Sequence, residues 1–193
     1  MIDLSRASSE LSTLIEVVPE DLLGSPTPCS EYCVGDLLDH IAGLTVAFGG
    51  AAVKGGGESA DMGPQGSAAN LPADWRESLP GRLAALARDW QDPDAWSGMT
   101  RVGGQEIPGE VAGTVCFGEL VVHGWDLARA TGMRWGPDPA GVTPLFDLVR
   151  RAFGPGQDAA RGAAFGPVVP VATEAPVFDQ ILGLLGRDPQ WTP

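Results

Sequence analysis

Apolar residues recur along this chain at the 3.6-residue spacing of helices, and Gly- and Pro-rich joints interrupt them. Leu4, Leu11, Leu14, Ile15 and Val18 set a first amphipathic helix over residues 3–18, ended by Pro19. Val34, Leu37, Leu38, Ile41, Leu44 and Phe48 draw a second stripe over residues 34–48. A third runs over residues 75–90 through Leu79, Leu83, Leu86 and Trp90, where the internal Pro80 predicts a kink or a split into two pieces. Residues 96–108 alternate around Gly103-Gly104 and read as a small hairpin. Toward the C-terminus, residues 142–153 and 175–186 predict two more amphipathic helices, and residues 165–171 a short extended piece. Helices joined by short links predict an all-α protein. The expected architecture is an antiparallel four-helix bundle with a small β-hairpin and extra C-terminal helices, in a single domain over residues 1–193.

Residues 111–132, VAGTVCFGELVVHGWDLARATG, depart from the amphipathic pattern. They predict a helix of about six turns that is apolar on nearly every side, and such a helix belongs inside the domain. It nevertheless carries Glu119 and His123, four residues apart and so on one face, with Asp126 a turn further on. Burying a carboxylate and an imidazole is costly unless they pair or bind a metal. The chain has only two histidines. The other, His40, falls about 40° outside the apolar stripe of its helix on a helical wheel, a position suited to lining a cleft between helices.

Composition narrows the choice of partner. The formal net charge of −13 supplies no basic stripe for a phosphate backbone and disfavours an anionic membrane surface, so neither nucleic acid nor membrane is an expected partner. No apolar run approaches the length of a membrane span. The N-terminus lacks a basic region before an apolar core, so the cytoplasm is the expected compartment. Cys29, Cys33 and Cys116 are odd in number and not in C-x-x-C spacing, and are expected reduced and partly buried, the alternatives being an approach of Cys29 to Cys33 and a regulatory thiol.

E-x-x-x-H on one helix can hold a divalent ion, and His40 from another helix would complete a set of three ligands. Three protein ligands leave a position open for water or substrate, the catalytic pattern. Glu119 and His123 can also simply pair with each other. Asp126 is expected as a surface or capping carboxylate, with tautomer-fixing partner or fourth ligand as alternatives. The pairs Asp36/Asp39 and Asp92/Asp94 read as solvated faces or caps, and Trp125 as core or a pocket wall. Residues 49–72, rich in Gly, Ala and Ser, read as a loop serving as a lid or as a plain insertion.

The segment TPCSEYCVGDLLDHIAG (residues 27–43) is similar to the T-P-C…V-x-D-L-L-x-H stretch of the mycothiol-dependent maleylpyruvate isomerase-like proteins of actinobacteria, within the DinB/YfiT-like metal-binding superfamily. ELVVHGWDLARATG (119–132) and LLGRDPQW (184–191) resemble a small subfamily of those proteins. The resemblance implies a DinB-like four-helix bundle holding a divalent metal, usually zinc with nickel as the alternative, on His40, Glu119 and His123. It further implies chemistry on a small electrophilic molecule with a low-molecular-weight thiol such as mycothiol, as an isomerase or S-transferase working as monomer or homodimer. The alternative is a non-catalytic metal-stabilised or ligand-binding helical module. Gly35 stands where that family usually carries a basic residue.

Overall fold

The computed structural model describes residues 1–55, 65–154, 157 and 166–193. Seven α-helices and one two-stranded sheet lie among them: α1 (Ser5–Glu16), α2 (Val34–Ala52), α3 (Trp75–Asp89), α4 (Pro93–Trp96), β1 (Met99–Val102), β2 (Gln105–Pro108), α5 (Gly109–Thr131), α6 (Pro139–Phe153) and α7 (Val177–Leu184). Single 3-10 turns add Glu20–Leu22 and Ala68–Asn70. None of these helices is long and apolar enough to cross a membrane.

Four helices, α1, α2, α3 and α5, touch in a ring: α1 packs on α3 and α5, and α2 packs on the same two. Their apolar stripes meet in one core, where Leu11, Ile15, Leu37, Leu38, Ile41, Leu79, Leu83, Phe117 and Leu127 are fully buried. Burial of whole Leu and Phe side chains contributes about 1.5–3 kcal/mol each, so the stripes read from the sequence are what hold the helices together. α6 packs against α5 and α7 outside the ring. The hairpin pairs Met99 with Pro108 and Val102 with Gln105 in antiparallel register. The Thr100 hydroxyl donates to the Ala51 carbonyl at 2.6 Å and fastens the hairpin to the end of α2.

Two expectations change. α3 runs unbroken from Trp75 to Asp89 with Pro80 inside it. Pro80 removes the bond to the carbonyl four residues back and its ring crowds that carbonyl, but buried Trp75, Leu79, Leu83 and Leu86 hold both sides of it in the core. The 49–72 stretch is not all loop: α2 continues to Ala52 and Ala68–Asn70 forms a 3-10 turn, while residues 56–64 lie outside the described ones. Of the extended piece expected at 165–171, residues 166–171 are not paired in a strand, the Val169 N–H donates to the Gly183 carbonyl at 3.0 Å, and Phe165 lies outside the described residues. The three cysteines are free thiols, as expected.

Candidate metal centre

The centre forms where α2 meets α5. On α2, Leu37, Leu38, Ile41 and Leu44 point into the core, which leaves His40 at the rim of that stripe with 12% of its side chain exposed. The Tyr32 ring lies 5.2 Å from the imidazole, and the Tyr32 hydroxyl accepts the Gly66 N–H at 3.2 Å. Asp39 accepts the Ser67 N–H at 3.0 Å and Asp36 the Ala68 N–H at 2.7 Å. Asp36 also accepts the Cys33 N–H at 3.0 Å in the first turn of α2, where the helix dipole favours a carboxylate. Asp36 is thus a cap, but it and Asp39 also fasten residues 66–68 along α2 beside His40. A side chain at Gly35 would meet Ala68 Cβ at 2.8 Å, so the same fastening leaves no room there.

On α5 the i, i+4 spacing stacks Glu119 and His123 as the sequence requires. Glu119 Oε2 lies 3.1 Å from His123 Nε2 and 3.7 Å from His40 Nε2, and the two imidazoles meet edge to face with centroids 4.8 Å apart. The three residues offer ligand atoms that all lie within 4.8 Å of one another. Two ligands each about 2 Å from a shared ion lie roughly 3–4 Å apart, so the two measured separations suit one ion. Neutral imidazole and carboxylate are the donor types that zinc takes.

Asp126 is the main correction. Far from being a surface or capping carboxylate, it is completely buried, because α5 is covered on almost every side. Its Oδ2 lies 3.0 Å from His123 Nδ1. An ionised carboxylate only accepts, so Nδ1 carries the proton and Nε2 is turned toward Glu119. A carboxylate in this position fixes the ring's orientation, as such partners do for histidines that bind metals. The contact also keeps Asp126 on the side of the ring away from Nε2, which removes it as a fourth ligand in this geometry.

Sequence reasoning missed Arg187. Its Nη2 donates to the same Asp126 Oδ2 at 3.2 Å, and its side chain is 8% exposed. The placement comes from the end of α7: Gly186 takes φ +81°, its N–H bonds to the Gly183 carbonyl at 3.1 Å, and the Arg187 N–H bonds back to the Leu182 carbonyl at 2.8 Å. This is the Schellman termination, which glycine adopts without steric penalty. It turns the chain so that Arg187 folds back onto α5. The only signal in the sequence was Gly-Arg directly after an apolar helix.

The protonation states follow. Burial alone would raise the Glu119 carboxyl, but hydrogen bonds and charge from His123 and His40 outweigh it and hold it below the usual carboxylate range. Burial alone would lower His123, but Asp126 and Glu119 outweigh it and push it up to about 9. Lying between the carboxylates of Glu119 and Asp126, the His123 ring therefore favours its protonated form. Burial pushes the Cys29 thiol up to about 11; Arg187 opposes this, and Asp126 and Glu119 add to it. Burial also raises Cys33 and Cys116. Trp125 is buried in the core.

Three comparisons bear on this arrangement. A family model described as the mycothiol maleylpyruvate isomerase N-terminal domain matches residues 4–128, which include His40, Glu119, His123 and Asp126. Two uncharacterized proteins of Mycobacterium tuberculosis, from strains CDC 1551 / Oshkosh and ATCC 25618 / H37Rv, are each 30% identical over 183 residues, covering 94% of this chain and 94% of their own. Crystal structures of the mycothiol-dependent maleylpyruvate isomerase, and of a histidine-to-alanine mutant of it, superpose with a TM-score of 0.50 at 17% identity. That overlap covers 76% of this chain and 65% of the isomerase chain, and it is a likeness of fold.

Proposed function

The chain belongs to the mycothiol maleylpyruvate isomerase N-terminal domain family, and from that premise we propose that it binds one divalent metal ion, zinc in the first instance, through His40, Glu119 and His123. The reading takes α1, α2, α3 and α5 as an antiparallel four-helix bundle and residues 1–193 as one domain. The observation that carries it is the convergence of three donor side chains from two helices, with Asp126 3.0 Å from His123 Nδ1 and so behind the ring, leaving Nε2 to face Glu119. A plain Glu119–His123 pair would need neither His40 at 3.7 Å nor a buried carboxylate behind the ring.

We further propose that the centre works as a thiol-dependent isomerase or S-transferase on a small electrophilic molecule, with a low-molecular-weight thiol of the mycothiol type as co-substrate. A bound divalent ion supplies the positive charge that acidifies a coordinated water or thiol. The protein's own part is to hold that ion with two imidazole nitrogens and one carboxylate, and to keep His123 oriented through Asp126 and Arg187. The thiol has to come from outside. All three cysteines have raised pKa values, and the thiolate, not the thiol, is the nucleophile. The three-donor set matches the open coordination of catalytic zinc sites, which favours an enzyme over a closed structural site.

Elemental analysis of the purified protein tests the centre. The expected result is one zinc or nickel per chain in the wild type, lost in His123→Ala while the helical circular dichroism is retained. A wild type free of metal, unable to take up zinc after dialysis against it, would overturn the reading. Zinc uptake that raises the melting temperature, without thiol-dependent turnover of any electrophile, would point to the metal-stabilised module instead.

A further inference from the structure

Beside the proposed metal ligands a cavity of about 230 Å³ runs between α5, α6 and the residues just after α7, Leu185 and Arg187. Its origin lies in the sequence of α5. The face of that helix turned to the bundle core carries the larger Leu120 and Leu127, whereas Val111, Val115 and Val122 line the cavity on the face turned to α6. Contact is close at Gly118, where an added Cβ would meet a Leu145 methyl at 2.8 Å, and again where the Phe117 ring packs against Gly141 of α6. Valines at neighbouring positions leave space between the helices. Leu145, Val149 and Phe153 of α6, one to two turns apart, form the opposite wall.

Polar side chains meet this cavity only at Glu119, His123 and Arg187 among its described lining. Arg187 brings a positive charge, and Asp126 at 3.2 Å already offsets it. A ligand with two carboxylates would leave one of them against valine, leucine and phenylalanine, and an unpaired charge in such surroundings is strongly disfavoured. An apolar group gains by entering: the volume exceeds the roughly 150 Å³ of a dry apolar cavity that admits benzene.

We infer that the substrate of this centre has an apolar body seated between α5 and α6 and a single polar group at the end formed by Glu119, His123 and Arg187. This deepens the metal-centre reading and rests on it for the placement of the reacting end. It excludes a short dicarboxylate as the preferred ligand and points to an electrophile with an alkyl or aryl substituent.

The test is a calorimetric titration of zinc-loaded and metal-free protein with butanoate, hexanoate, octanoate and maleate. The dissociation constant falls about fourfold per added methylene until the cavity is full, and maleate binds more weakly than hexanoate. Ala152→Trp, which fills the cavity from a half-buried position on α6, and Leu148→Asn, which makes its wall polar, each flatten the series while zinc stoichiometry is unchanged. A flat series in the wild type, or maleate binding tighter than hexanoate, overturns the inference even if zinc binds one to one. A steep series in protein that takes up no zinc supports the apolar cavity and sinks the metal reading instead.

Discussion

At the scale of single residues, the centre depends on how its charges are shared. His123 sits between Glu119 and Asp126, and its pKa of about 9 stands above the ordinary value of 6.5. A basic group with a raised folded-state pKa contributes stability that is complete below its unfolded value and is lost as the pH climbs through the folded one. With the metal chelated away, the melting temperature should therefore decline between about pH 6.5 and 9. His123→Gln should lack that component, and so should zinc-loaded protein, where the ion replaces the proton. Thermal melts at a series of pH values, with EDTA and with zinc, measure it; identical wild-type and His123→Gln profiles would contradict it. His40, Glu119 and His123 were legible in the sequence because the i, i+4 spacing is local and the chain has only two histidines. Asp126 was misplaced because its burial depends on what covers the last turns of α5, which spacing along one helix does not report.

At the scale of elements, α5 can carry a polar centre because its neighbours press close on both sides of it. Gly124, directly after His123, lies under the Trp135 ring, and an added Cβ would fall 2.2 Å from that ring's Cζ2. The Trp135 indole N–H donates to the Val121 carbonyl at 2.9 Å, so the ring cannot simply swing away. Gly124→Ala should then destabilise the fold by about 1–3 kcal/mol, as overpacking does, and chemical denaturation should show it as a lower midpoint with an unchanged slope; a wild-type midpoint would show that the ring moves at no cost. Helix positions were readable because stripes of Leu, Ile and Val repeat at 3.6 residues. The unbroken α3 was not, since Pro80's local penalty is set against burial of residues whose partners lie on other helices.

At the scale of the whole molecule, the C-terminal segment completes a site that begins on α2. Asp126 and Arg187 are 61 residues apart and meet within the interior. The segment that carries Arg187 is also tied down by the Trp191 carbonyl, which accepts from the Arg129 guanidinium. Removing one member of a buried ion pair leaves the other uncompensated, at a cost of about 3–5 kcal/mol. Arg187→Met should therefore lower the unfolding free energy by roughly that amount and weaken zinc binding through a misoriented His123. Denaturation together with competitive zinc titration checks both; a fold and affinity equal to wild type would make Arg187 a bystander. This link was not legible in the sequence, because it needs the left-handed turn at Gly186 and the packing of α7 on α6 at once.

The central claim, that His40, Glu119 and His123 hold one ion between them, is tested most directly by X-ray absorption at the zinc edge of the loaded chain. The expected spectrum has a first shell of nitrogen and oxygen at about 2.0–2.2 Å with multiple scattering from two imidazoles, falling to one in His40→Ala. A shell dominated by sulfur at about 2.3 Å, or one with no imidazole signature, would contradict it.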